Sequence, residues 1–200
     1  LPVLVGTAAR GIGVSALLDA AVDLLASPAD LPPIAAIDAK TGAAVERPAD
    51  PGAPFAAFVF KTLNDPFAGK LSVFRVVSGR ATSDSIVLNA SHGSKERFGQ
   101  LLRLEGKKQA PIAVAIAGEI CAVAKLKDTA TGDTLADEKA PVLLPTLPTF
   151  EAVMSFAAQP KSKADEEKAT QALRRMMEED LALHIERDAE SREIIVSGSG

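Results

Sequence analysis

Residues 55–147 are a succession of short apolar runs broken by turn signals, and this spacing constrains the fold more than any other feature of the chain. The runs cover 55–63, 71–77, 85–89, 98–104, 112–117 and 119–126 and are rich in Val, Ile, Leu and Phe. Between them stand Asn64-Asp65-Pro66, Ser78-Gly79, His92-Gly93, Ala117-Gly118 and Thr131-Gly132. Glycine, proline and side-chain-capped turns of this kind separate antiparallel strands. Many short strands with frequent turns predict a closed β structure, because closure leaves no edge unpaired. Six of the eight phenylalanines lie here, at Phe55, Phe58, Phe60, Phe67, Phe74 and Phe98. A small barrel needs large inward side chains, and these sit within apolar runs, so core packing is preferred to a base-stacking platform.

Two hundred residues allow one large domain or two modest ones. Hydrophobic residues at 47% and charged residues at 24% exclude a disordered tail or a coiled coil. A single cysteine, Cys121, cannot close an intramolecular disulfide, and with two histidines it cannot build an all-His/Cys zinc cage. A lone thiol suits a reducing compartment, and the cytoplasm is the expected location. Asp19, Asp23, Pro111 and Gly118 interrupt the apolar stretches, which fall short of the roughly 18 uncharged residues of a membrane span. No membrane partner is expected. The chain begins Leu-Pro-Val and ends Ser-Gly-Ser-Gly, which leads us to expect a piece of a larger protein.

The net charge of −4 is unevenly divided. Residues 1–54 carry 3 basic and 6 acidic groups, residues 55–147 carry 12 and 9, and residues 148–200 carry 7 and 11. A basic middle between acidic ends is compatible with a phosphate-facing surface and also with ordinary variation. Lys95, Arg97, Arg103, Lys107 and Lys108 cluster at the tip and return of one expected hairpin within 92–109. Such residues contact a nucleic-acid backbone without reading sequence, and they are as readily a solvated face. His92 beside Gly93 reads as a turn residue, and Cys121, inside an apolar strand, as a small core residue.

Residues 1–5 form an apolar run like those of buried parallel strands. A loop follows, then a helix with the apolar stripe Val14, Leu17, Leu18, Ala21, Val22 and Leu25. Together they read as the end of an α/β domain, 1–27. Gly6-x-x-x-x-Gly11 has phosphate-loop spacing, but Ile12 and Gly13 stand where Lys and Ser/Thr are required. Gly11-x-Gly13-x-x-Ala16 lacks the βαβ surroundings of a dinucleotide fingerprint, so the glycines read as permitting a tight turn. Residues 28–54 hold six of the 13 prolines and predict a linker with short extended pieces. After residue 148, 152–158 alternate as a strand and Ser162-x-x-Asp165 has the form of a capping box. A helix with Ala169, Ala172, Leu173, Met176 and Met177 on its apolar face runs to Asp180, and strands follow near 181–185 and 193–197. This β-α-β-β order is an incomplete ferredoxin-like module, lacking a further helix and strand.

Several motifs then occur in a specific order. They are Phe58-Val-Phe-Lys61, Asp65-Pro-Phe-Ala-Gly69, Phe74-Arg-Val-Val-Ser-Gly79, Lys95-Glu-Arg97 with Leu101-Leu-Arg103, and Ala117-Gly-Glu-Ile120. Leu126-Lys-Asp-Thr-Ala-Thr-Gly-Asp-Thr-Leu135, Pro160-Lys-Ser-Lys163 and Glu178-Glu-Asp180 complete the set. In this order they resemble a translational GTPase of the elongation factor G class over almost the whole chain. The resemblance implies a multidomain chain: the terminal strand and helix of an α/β GTP-binding domain (1–27), a translation-factor β-barrel (55–147), and most of an α+β third domain (148–200).

It also implies that the backbone of Gly6-Thr7-Ala8 meets the guanine base, with threonine where serine is common. The phosphate loop, switch segments and catalytic histidine of the family have no counterpart here. GTP or GDP and Mg2+ are therefore expected in the full-length parent, with neither cofactor nor hydrolysis expected in these residues alone. The implied partners are the ribosome, through small-subunit rRNA, and indirectly the tRNA–mRNA complex, during translocation. Arg10-Gly-Ile-Gly13, Leu104-Glu-Gly-Lys-Lys108 and the alanine-rich 111–117 depart from the common pattern. A ribosomal-protection, release or recycling factor of the same class, or a non-catalytic β-barrel binding module, are the alternatives.

Overall fold

A computed structural model describes residues 2–65, 67–106, 108–148, 151–160, 162, 165–189 and 193–200. Helix α1 covers Val14–Leu24. Strands β1 (Ile34–Asp38), β2 (Ala44–Arg47), β3 (Ala56–Asp65) and β4 (Gly69–Ser78) follow, then β5 (Arg80–Thr82), β6 (Ile86–Asn89), β7 (Ser94–Arg97) and β8 (Leu101–Glu105). Next come β9 (Lys108–Ile112), β10 (Val114–Ile116), β11 (Ile120–Ala124), β12 (Thr134–Ala136) and β13 (Val142–Leu143). The last elements are β14 (Met154–Ala158), α2 (Glu166–Glu179), β15 (His184–Arg187) and β16 (Ile194–Gly198).

Eight strands form one antiparallel sheet in the order β7-β6-β12-β3-β4-β11-β8-β9, and β5 pairs with β10 beside it. The sheet curls into a barrel because its ends share one core. Phe98, in the connection from β7 to β8, stacks on Phe74 of β4 at 5.4 Å and meets Phe55 edge-on at 6.0 Å. Val59, Val76, Leu101, Cys121, Val123 and Leu135 fill the rest of that interior. Phe98 is thus a core residue outside the ladder, and its expected strand begins only at Leu101. The expected strand 112–117 is split between β9 and β10. The polar stretch Lys108–Ile112 pairs with β8 as an edge strand, where Pro111 costs no ladder bond.

The hairpin β3–β4 has two buried faces. Ala57, Val59, Phe74 and Val76 point into the barrel, while Ala56, Phe58 and Val77 pack outward into a second core with Ala36, Ala136, Val142 and Leu144. A sheet ordered β13-β1-β2 covers this second core. The extended pieces expected within 28–54 are therefore a hairpin seated on the barrel, held by burial of Ala36 and Val45. The outcome differs at the start of the chain. Residues 2–6 form no strand, because no neighbouring strand offers them a ladder, and the one bridge of this region joins Thr7 to Ile12. Helix α1 forms as its periodicity predicts, yet none of its residues is buried.

In the last module the β-α-β-β order is present, with β16 central between β14 and β15. Helix α2 turns Leu173 and Met177 toward Ile185 and Ile194, whereas Ala172 and Met176, expected on the same face, are exposed. The stripe Ala169, Leu173, Met177 advances by four residues per step and forms a single row facing the sheet, with Ala172 and Met176 on the next row. The expected capping box does not form. Asp165 is itself helical (φ −91°, ψ −9°), and Ser162 Oγ donates to its carboxylate at 2.6 Å instead of accepting a helix N–H. At the other end, Glu179 Oε1 accepts the Asn64 N–H at 2.6 Å and Asn64 Nδ2 donates to the Arg175 carbonyl at 3.2 Å. The acidic C-terminus that disfavours a free helix is thus used against the end of β3.

Gly79 has φ 70°, and a Cβ there would lie 2.6 Å from the Ala53 carbonyl oxygen and 2.7 Å from the Phe55 backbone. Gly79→Ala is expected to destabilise the barrel by about 3 kcal/mol or more, since backbone must move as well as adopt strain. Gly93, at φ 71° with open space around it, is the control, and Gly93→Ala should cost only about 1 kcal/mol. Urea unfolding of both variants checks the difference.

Candidate nucleic-acid interface

Strand β7 alternates, so Lys95 and Arg97 face solvent while Glu96, at 3% exposure, faces inward. Lys95 Nζ pairs with Glu138 Oε1 at 2.8 Å, both side chains being more than half exposed. Arg97 lies opposite Ile86 and makes no ion pair among the described residues. On β8, Arg103 Nη2 reaches Glu119 Oε1 at 2.9 Å, and Glu119 Oε2 accepts the Ile116 N–H at 2.8 Å. Lys108 is exposed at the start of β9, opposite Glu105. Lys107 lies outside the described residues.

The basic residues do not share one hairpin. Gly93 turns β7 back onto β6, whereas β8 pairs with β11 and β9, so Lys95 and Arg97 stand at one end of the strand order and Arg103 and Lys108 at the other. The sequence places them close together only because the connection 98–100 crosses from the first strand of the sheet to its penultimate one.

The residues between these cations build a buried polar network that charge counting did not reveal. The Glu96 carboxylate accepts N–H groups from Lys127 at 3.1 Å and Asp128 at 2.7 Å and the Thr129 hydroxyl at 2.9 Å. Asn89, fully buried, donates Nδ2 to the Asp128 carbonyl, Thr129 Oγ1 and Asp133 Oδ2, and its Oδ1 accepts the Ser91 and His92 amides. Asp133 Oδ2 also accepts the Ala130 N–H, and its Oδ1 lies 3.2 Å from His92 Nε2. Donors from backbone amides satisfy a buried carboxylate without a cation. The motif at 126–135 is therefore a loop clamped by Glu96 and Asn89. The period-two position of Glu96 between two exposed cations was the available signal.

Two further residues singled out by the sequence serve local structure. Asp65 Oδ1 accepts the amides of Phe67 at 2.8 Å and Ala68 at 2.7 Å, and these bonds hold its carboxyl below the usual range. Phe67 is 98% exposed at the tip of β3–β4 and Phe60, half-buried on β3, joins neither core, so these two of the six phenylalanines are not core residues. Burial, with the nearby Glu119 charge adding to it, pushes the Cys121 thiol up to about 12, as suits a core residue and not a nucleophile.

The loop 6–13 is closed on itself. Thr7 donates its N–H to the Ile12 carbonyl at 2.9 Å and accepts those of Ile12 and Arg10 at 3.2 Å. Gly6 and Gly13 touch backbone to backbone, leaving no room for a Cβ at either. Of Gly6-Thr7-Ala8, the Thr7 amide is thus engaged internally, while the exposed Ala8 amide heads the turn Ala8–Arg10, a position without an intrahelical acceptor. Among the described residues, no group of three His, Cys, Asp or Glu side chains could hold a metal ion.

The chain thus joins a curled antiparallel barrel to a sheet-and-helix module docked through one helix end. Residues 54–138 match the family model for elongation factor G domain 2, and residues 149–200 match that for elongation factor G, domain III. A crystal structure of a protein from Thermus thermophilus is 27% identical with a TM-score of 0.75, and the match covers 96% of this chain and 26% of that one. The chain belongs to the elongation factor G class, and it contains the second-domain barrel and third-domain module of that class.

Glu96→Gln replaces one acceptor oxygen by a donor facing amide N–H groups and should cost about 1–3 kcal/mol in urea unfolding. Lys95→Gln, which removes only a surface pair, should stay within about 0.5 kcal/mol of the parent. Cys121 should resist a disulfide-exchange reagent at pH 8 in the folded chain and react fully once unfolded, read by absorbance.

Proposed function

We propose that the barrel and its neighbouring module serve a ribosome-associated factor that binds and hydrolyses GTP and promotes the movement of tRNA and mRNA during protein synthesis. The observation that supports this reading most is the succession of second- and third-domain family matches along one chain. Within it, the barrel supplies contact with small-subunit rRNA, and the α2 end bonded to Asn64 couples the barrel to the third domain. Arg97, free of ion pairs among the described residues, and Lys108 are the cations readiest to meet phosphate. Lys95 and Arg103 must first exchange Glu138 and Glu119 for it, and Lys107 is assigned by sequence alone.

On the same reading the first loop meets the guanine base, with the Ala8 amide, which has no intrahelical acceptor, donating to a base carbonyl and Gly6 and Thr7 shaping the turn. On this reading GTP hydrolysis belongs to the full-length parent, and the 200-residue chain alone is expected to be inactive. No helix among the described residues is long and apolar enough to cross a membrane.

Co-sedimentation of the chain with small ribosomal subunits tests the contact. Binding should be weak and should fall steeply with salt, and Arg97→Glu with Lys108→Glu should reduce it several-fold. Unchanged binding in that double variant would remove these cations from the interface. For the parent, translocation in a reconstituted system supports the reading, while recycling activity without translocation would assign it to a recycling factor of the same class.

A further inference from the structure

A groove of about 340 Å³ runs between the segment 28–34, strand β2 and the outer face of β4. It continues into a second groove of about 470 Å³ through the shared residues Ile34, Arg75 and Val77. The walls of the first are aliphatic, with Pro28, Pro32, Leu31 and Val77 prominent and no aromatic ring. Among the described residues its only charged groups are two guanidinium ions, those of Arg47 and Arg75, and no carboxylate lines either groove.

Neither arginine is neutralised. Arg75 is exposed on β4 between Phe58 and Ile120 of the adjoining strands and makes no ion pair among the described residues. Arg47 is half-buried, donates Nη2 to the Ala140 carbonyl at 3.0 Å, and carries a buried Nε–H with no acceptor. The buried, unpartnered Nε–H of Arg47 is costly alone, and together with the exposed guanidinium of Arg75 it is complementary to one anion between apolar groups. Guanidinium forks match a carboxylate in plane, with two parallel hydrogen bonds. A nucleic-acid strand would instead call for a track of cations and exposed rings for its bases; here the cations are two, and the rings of the second groove, Phe58 and Phe60, are half-buried.

The geometry points to a docking site for an acidic segment of a partner protein, in which a glutamate or aspartate is flanked by aliphatic side chains. Arg75 takes the carboxylate, Arg47 supplies the second positive charge, and the aliphatic flanks enter the two grooves on either side. This site is independent of the rRNA-facing cations, which lie on other strands, so either assignment can fail without the other.

The test is a titration of the 15N-labelled 200-residue chain, followed by NMR, with a capped leucine–valine–glutamate–valine–leucine peptide as the probe. Saturable shifts are expected at the Arg75 side-chain Nε–H and at the amides of Ile34, Val77 and Gly118. The glutamine counterpart of the peptide should bind at least about tenfold more weakly, as should the glutamate peptide to Arg75→Gln. Arg75 is exposed and unpaired, so this variant keeps the fold, and an unchanged amide spectrum outside the groove verifies it. Equal binding of the two peptides, shifts confined elsewhere, or stronger shifts of the same signals by oligouridylate or inorganic phosphate would each overturn the proposal.

Discussion

The pairing of β3 with β4 is the constraint on which the rest of this structure depends. Its ten-residue strands run antiparallel through the middle of the eight-stranded sheet, with side chains buried on both faces. One face supplies Val59, Phe74 and Val76 to the barrel interior, and the other supplies Ala56, Phe58 and Val77 to the core beneath β1 and β13. A slip of one residue would exchange the two sets, placing Phe58 where Ala57 and Val59 fit. The register is fixed at both ends by turn chemistry, with Asp65 capping the amides at the tip and Gly79 passing close to Phe55 at the base.

The other parts of the molecule are arranged around that hairpin. Its tip end bonds α2 through Asn64, its base abuts the segment that leads from α1, and its outer face floors the grooves at Arg75. The clamped loop at 126–135 holds β12 between β3 and β6, which in turn sets where β7 presents Lys95 and Arg97. A rigid barrel with cations on its surface and a module attached by one helix end is suited to carrying a contact from one domain to the next.

Much of the barrel was legible in the sequence, for a physical reason. A strand buried on both faces reads as an unbroken apolar run, as in Phe55–Phe60, and tight turns require Gly, Asp or Asn at fixed places. Strands β5, β12 and β13 escaped because they are two or three residues long and are specified by distant partners, as when Leu135 pairs with both Ala57 and Asn89. The hairpin in 28–54 was hidden by prolines and alanines whose burial depends on Val142 and Leu144. At the candidate interface, residue type identified the cations but not their neighbours: Glu138 and Glu119, which engage two of them, are separated in sequence by the chain's path across the barrel.

If β3–β4 unites both cores, the covering sheet should open only when the barrel does. Native-state hydrogen exchange measures this directly, by comparing the amides of Ala39, bonded to the Pro141 carbonyl, and Val59, bonded to that of Asp133. The account predicts that the two exchange with the same opening free energy and the same dependence on denaturant. Exchange of Ala39 through a separate opening of lower energy, with Val59 still protected, would contradict it.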